Sequence, residues 1–396
     1  MSNIIDLLSD IPDDVARLRR ARPDAVANAE LSFQALFEPA EEKDLPQAWR
    51  YAVATFIAGV SGSSSAARFY RDLLSDEAGE DLITLVNEAI ARGTSTGPYT
   101  GGEYVVFDGP HAGLSAALDF AHLLTFHPKD ASPAAIGHLQ RAGFSDDAIV
   151  SLAQLISFVA FQLRVAHGLH VLAGGSAAAP ATRARGVANP GWAPGPRTIL
   201  PDVVSPTHFV NHSLGWKPWV ADLPKEQFTP AHYDALVEPS RIDSEYFRLL
   251  ARDPAALKAR TLTDFDIFFN TEGGLGRAER ELVATVVSRL NGCEYCASVH
   301  QARSKQEGGD AEAIDGLLRD GVGADLGTDA WNALRDAAVS LTATPFEFGP
   351  GDVEKLRAAG CDELAIIDVV NSASFFNWAN RLMLTLGQPD VPKRFR

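Results

Sequence analysis

Sulfur is scarce in this chain, with three cysteines and two methionines in 396 residues. Three cysteines cannot form a disulfide framework, and so low a count fits a reducing compartment. Basic residues are also in deficit: 35 Lys and Arg stand against 51 Asp and Glu, a net charge of −16. A surface this acidic repels phosphate backbones and anionic lipid, and no local basic cluster reverses it, which argues against nucleic-acid and membrane partners. Long apolar runs are missing too. Stretches such as 148–163 are interrupted by Ser and Gln and fall short of the roughly 20 residues that span a bilayer. The opening MSNIIDLLSDIPDD carries acids and no basic n-region, so no signal peptide is expected. The expectation is a soluble, cytoplasmic protein. Strand-like alternation is nearly absent as well, with 103–107 (EYVVF) the best and a short candidate.

What is present is helical. In 279–290 (ERELVATVVSRL), Leu282, Val283, Val286, Val287 and Leu290 share one face, and 363–386 is a long apolar segment stopped by Gly387 and Pro389. The length suggests two or three domains. An internal repeat sharpens that figure. Residues 48–62 (AWRYAVATFIAGVSG) align without a gap on 278–292 (AERELVATVVSRLNG), at an offset of 230. Residues 142–164 align on 359–381 at an offset of 217, which places 13 extra residues in the first half, around 94–112. Between the copies lies a Pro/Gly/Ala-rich stretch, LAGGSAAAPATRARG through NPGWAPGPRTILPDVVS. The expected organisation is all-α, in two homologous helical domains at 1–171 and 206–396 joined by a linker at 172–205.

The two copies differ where chemistry is concentrated. Opposite Glu281, Cys293, Cys296 and His300 stand Tyr51, Ser63, Ala66 and Tyr70. Asn291-Gly292 is a helix stop, and a new helix from Cys293 would carry Cys293, Cys296 and His300 on one face at i, i+3 and i+7. Both sulfurs would then lie in the first turns, where unpaired N–H groups and the helix dipole favour a thiolate. C-x-x-C spacing allows the second sulfur to close a disulfide with little backbone movement. His300 can hold or deliver a proton, and Glu281 can orient it or relay through water. Two blander readings stay open. The pair fits two small core residues, and with His300 it also offers three zinc ligands, although no second C-x-x-C or H-x-x-x-H supplies a fourth. Glu281 itself also fits a carboxylate paired with Arg277 or Arg280.

The string Glu281, twelve residues on to Cys293, then Cys-x-x-Cys-x-x-x-His resembles the alkylhydroperoxidase D-like branch of the carboxymuconolactone decarboxylase superfamily. Residues 376–381 (FNWANR) and 215–219 (GWKPW) resemble stretches of its peroxidase-related members. The resemblance covers about 206–390 and is weaker over 20–170, where it concerns fold rather than chemistry. It implies a thiol peroxidase or disulfide oxidoreductase without metal or other cofactor. Cys296 would be the peroxidatic cysteine, Cys293 the resolving one, and Glu281 with His300 the proton relay. Tyr295 stands where many members have a second His, which removes one relay group. The superfamily's decarboxylases lack the cysteine pair. Family members assemble as trimers or hexamers, so a tandem chain implies a homo-oligomer, a trimer of two-domain chains. A peroxide would be the substrate and an external dithiol, lipoyl or thioredoxin-like, the reductant. The alternative is a non-catalytic helical protein that binds a small ligand or serves a structural role, with a vestigial cysteine pair.

Remaining candidates read as structural. Cys361 is expected to be an inert buried thiol. Ser63-Ser64-Ser65 lacks an activating His or acid. Gly273-Gly274-Leu275-Gly276 has no strand before it and reads as a loop. His208 and His212 have i,i+4 spacing at the linker's edge beside Pro206. Asn377, Asn380 and Arg381 are expected to satisfy polar contacts in the helical core or at a subunit interface, and His167 and His170 to cap a helix at the surface.

Overall fold

The computed structural model describes residues 3–93, 108–176, 200 and 202–396. The expected strand at 103–107, most of the 94–112 segment and most of the linker lie outside them. The first half forms α1 (Ile4–Ser9), α2 (Asp13–Arg19), α3 (Pro23–Phe37), α4 (Gln47–Val60), α5 (Ser64–Glu77), α6 (Glu80–Gly93), α7 (Ala112–Phe126), α8 (Pro133–Arg141) and α9 (Asp146–Leu172). The second forms α10 (Pro230–Leu236), α11 (Glu245–Leu250), α12 (Pro254–Phe269), α13 (Arg277–Asn291), α14 (Glu294–Gln306), α15 (Ala311–Asp320), α16 (Asp329–Thr342), α17 (Pro350–Ala358) and α18 (Glu363–Thr385). The fold is all-α. Gln47 and Arg277 open α4 and α13, while Ala112 and Asp329 open α7 and α16, so helix starts keep the 230 and 217 offsets of the sequence repeat.

Local chemistry explains where the helices begin and end. Ser145 and Asp362 are extended residues whose side chains accept from the N–H of Ala148 and Ala365, capping α9 and α18. Gly292 ends α13 in the left-handed region at φ 77°, where a Cβ would be strained. One feature is absent from the sequence reading. Gly215–Pro218 (β1) pairs antiparallel with Gly387–Asp390 (β2), Trp216 lying opposite Pro389.

The two halves share one hydrophobic core, because the long apolar helices α9 and α18 pack on each other at its centre and α3 packs on α12. Gly168 permits the close approach of α9 to α18, since a Cβ there would meet Val370 at 2.7 Å. Phe158 and Trp378 meet edge to face across the same seam, 5.3 Å between ring centroids. α9 has 27 residues, longer than the interrupted run in the sequence suggests, and by length and composition alone it could cross a membrane; here its most apolar 18-residue window is wholly buried in the fold. His167 and His170 do not cap this helix. They bond the carbonyls of Phe348 and Ser9 and so dock α9 against other segments.

Buried ion pairs tie the halves together. Asp368 on α18 accepts from Arg22 Nε and a terminal nitrogen at 2.9 Å each, and from Arg280 at 3.0 Å. The backbone N–H of Leu275 completes the set at 3.0 Å. All three side chains are removed from water. Lys129, just after α7, donates to both carboxylate oxygens of Glu294 at 2.7 and 2.8 Å, with Glu294 only 2% exposed.

Removing one member of such a group leaves uncompensated buried charge. Arg22→Met is expected to lower unfolding stability by about 3–5 kcal/mol, measured by urea denaturation. A change below about 1 kcal/mol, the range of an exposed pair, would show that Arg22 is not part of the lock.

Candidate active site

The site forms where α13 stops and α14 starts. Gly292 turns the chain, Cys293 becomes the N-cap of α14, and Cys296 falls in its first turn, both thiols free and nearly buried at 2% and 5% exposure. One helical turn on, His300 turns its Nδ1 towards α13 and donates to Glu281 Oε2 at 2.5 Å. The other carboxylate oxygen of Glu281 accepts from Arg277 Nε at 2.6 Å, so Arg277 is the partner, not Arg280. Arg280 instead points to the main chain of Leu275 and Ile267 and to Asp368. The structure therefore brings Glu281, Cys293, Cys296 and His300 together.

Electrostatics separate the two thiols. Burial pushes both upward. Cys293 stays well above the ordinary thiol range, because its polar contact with Cys296 and the charge of that sulfur add to burial. For Cys296 burial is outweighed by polar contact with the Cys293 thiol, the charge of His300, the amide of Asn380 and the charge of Arg260, so it lies below its usual value. Cys296 is thus the sulfur more readily ionised. Burial likewise opposes the charged forms of Glu281 and His300, yet their mutual attraction wins: Glu281, helped by Arg277, is held below its usual range and His300 above it. His300 keeps 21% of its side chain exposed, which leaves a route for protons to and from solvent. The ring of Phe376 stands edge-on to His300, 4.3 Å between centroids, and fixes the imidazole plane.

Tyr295 lies partly buried against the core, its hydroxyl pushed upward by burial and by the two neighbouring sulfurs. No hydrogen bond of that hydroxyl occurs among the described residues. The Asn pair of α18 serves the helical core: Asn377 donates to Thr342 Oγ1 and Asn380 to Ser288 Oγ, while Asn291 at the end of α13 donates to both. The influence of Asn380 on Cys296 goes beyond that expectation. The sequence reading also missed Arg260, Asp264 and Tyr246, whose charges or hydroxyl act on the cysteine–histidine group. Arg260, Asp264 and Phe268 recur at i, i+4 and i+8 on α12, which is the one local signal they leave.

The other candidates fall outside the group. Cys361 is half-buried, not buried as expected, and burial raises its thiol. Ser63, Ser64 and Ser65 line a cavity of about 240 Å³ with His167 and His170, whose bonded ring nitrogens face main-chain carbonyls. Gly273 and Gly274 form a loop with positive φ. His212 stacks on Phe395 at 3.9 Å, and His208 bonds Thr207. No cluster of three His, Cys, Asp or Glu side chains that could hold a metal occurs among the described residues. In the first half, Tyr51 and Tyr70 stand in place of Glu281 and His300 and pack on Phe37, with centroids 5.6 and 5.2 Å away. The Tyr70 hydroxyl bonds Gln162. Aromatic packing fills that position.

Residues 254–339 match the model of the carboxymuconolactone decarboxylase family. Among solved structures, an uncharacterized peroxidase-related protein from Silicibacter sp. TM1040 is similar, with 26% identity over 44% of this chain and 88% of that one, at a TM-score of 0.35. No curated protein matches.

The thiol asymmetry sets a pH order. Thiolate is the species that iodoacetamide alkylates, so a lowered pKa carries the reaction to lower pH. Site-resolved mass spectrometry should show Cys296 half-reacting at a lower pH than Cys293. His300→Gln removes a positive charge that favours the thiolate and should move the Cys296 midpoint upward. An unmoved midpoint would exclude His300 from thiol activation.

Proposed function

We propose that the chain, whose residues 254–339 match the carboxymuconolactone decarboxylase family model, is a thiol-dependent peroxidase working through Cys296 and Cys293. One observation carries the reading: the more acidic thiol sits at a helix start beside a histidine whose charged form a buried carboxylate favours. A spectator cysteine pair in a core needs neither feature.

The cycle follows from these groups. The Cys296 thiolate attacks one oxygen of a hydroperoxide; an S–O bond forms, the O–O bond breaks, and the leaving alkoxide takes a proton from the His300–Glu281 pair to depart as alcohol. Cys296 is then a sulfenic acid. The Cys293 sulfur attacks it as its proton passes to the departing hydroxide, leaving water and a Cys293–Cys296 disulfide. Cys293 loses its proton less readily than Cys296, which suits the second, resolving role. Two electrons must then return from an external dithiol, which is oxidised in turn. The positions of the two thiols within four residues support this closure, and Glu281 orients His300 and favours its protonated form.

Thiol counting tests the scheme directly. One equivalent of cumene hydroperoxide should remove two thiols per chain from the wild type. In Cys293→Ser, Cys296 should halt as a dimedone-reactive sulfenic acid, and Cys296→Ser should show no peroxide-dependent thiol loss. Glu281→Gln should slow oxidation by about 10²–10⁴, the usual contribution of a positioned acid–base group. Thiols untouched by peroxide would overturn the reading in favour of a non-catalytic binding protein.

A further inference from the structure

Arg260 on α12 is a buried cation with no assigned work. It is 4% exposed, yet among the described residues its guanidinium makes no ion pair or hydrogen bond, its buried Nε included. Arg164 and Arg381 also carry an unpartnered Nε, so the contrast lies in the terminal nitrogens. Arg50, Arg164, Arg280 and Arg381 are as deeply buried, and each donates to main-chain carbonyls. Arg260 instead lies over aromatic faces, 5.0 Å from the ring centre of Phe375 and 5.8 Å from that of Trp378. Stacking uses the plane of a guanidinium and leaves the N–H edge free, the edge that matches a carboxylate in bidentate fashion. A desolvated charge without counter-charge destabilises a fold, and a ligand anion at its free N–H edge would remove that cost.

A second unpartnered group stands nearby. The Tyr246 hydroxyl on α11 is buried without a hydrogen-bond partner among the described residues, and it feels the charges of Arg260, Cys296 and Cys293. Asp264, one turn along α12, makes no ion pair with Arg260 within 4.0 Å, although its carboxyl, pushed upward by burial, feels the Arg260 charge. The aromatic wall under Arg260 leads to the thiol site: Phe375 neighbours Phe376 at 6.0 Å, and Phe376 meets His300 at 4.3 Å.

We propose that Arg260 and the Tyr246 hydroxyl form an anion-receiving subsite beside Cys296, so that the substrate is an apolar organic hydroperoxide bearing a carboxylate. The anion rests on Arg260 and Tyr246; that it carries a peroxide rests on the function proposed above. The carboxylate would occupy the N–H edge of Arg260 and accept from Tyr246, while the apolar body lies along Phe375 and Phe376.

Two measurements separate the parts. The first compares oxidation of Cys296 by cumene hydroperoxide carrying a para carboxylate with oxidation by its methyl ester. Wild type should prefer the acid by about ten- to hundredfold in kcat/KM, the size of a charge-assisted hydrogen-bonded pair. In Arg260→Gln that ratio should fall towards one, in Arg260→Lys it should recover in part, and in Tyr246→Phe it should fall less. The second uses calorimetry with 4-isopropylbenzoate and its amide, which contain no peroxide. The acid should bind wild type and not Arg260→Gln, and the amide should bind neither. If neither hydroperoxide reacts but the acid still binds through Arg260, the subsite stands and the peroxidase reading falls. If wild type, which needs no variant to fold, shows no preference for acid over ester and no binding of the acid over the amide, the subsite is overturned.

Discussion

Two arginines converge on one buried carboxylate in this fold, and most of its architecture follows from satisfying that convergence. Asp368 lies on the central helix α18; Arg22 reaches it from just before α3 and Arg280 from within α13. A carboxylate removed from water is tolerated only if its lone pairs are filled, and here two guanidiniums and a backbone N–H fill them. The geometry fixes three elements relative to each other. Arg280 is next in sequence to Glu281, so the turn of α13 that presents the Glu281 carboxylate to His300 is the same turn that Asp368 holds.

The two halves use one helical scaffold for opposite ends. In the second, buried polar groups form a chain from Arg277 through Glu281 to His300, with the thiols one turn away. In the first, the matching positions hold Tyr51 and Tyr70, which pack on Phe37. A buried acid–base pair needs partners for every charge, whereas aromatic rings need only surface to cover. The first half therefore holds aromatic core where the second holds a polar site, with the helix order unchanged.

How much of this is legible in sequence depends on the range of the interaction. The helix stop at Gly292, the start at Cys293 and the one-turn spacing of Cys296 and His300 are local rules, and sequence suffices for them. Helix offsets of 230 and 217 are legible because the copies share apolar periodicity. Arg277 as partner of Glu281 is one of two choices that i,i+4 spacing and adjacency leave open. The β1–β2 pairing joins segments with no alternating pattern, so nothing local announces it. The run of α9 to Leu172 is hidden by its Ser, Gln and His residues, which find partners or space inside the core. Arg260 and Tyr246 are invisible for a different reason: what marks them is the absence of a partner, and an absence exists only in three dimensions.

The Lys129–Glu294 contact shows what such distribution demands of the chain. Glu294 sits between the two cysteines, and its counter-ion comes from 165 residues earlier. Loop-closure entropy grows only logarithmically, so doubling a loop adds about 0.6 kcal/mol. Distance along the chain is therefore a weak barrier to recruiting a residue. A fragment cut at the boundary between the copies would therefore keep every motif residue while stranding Glu294.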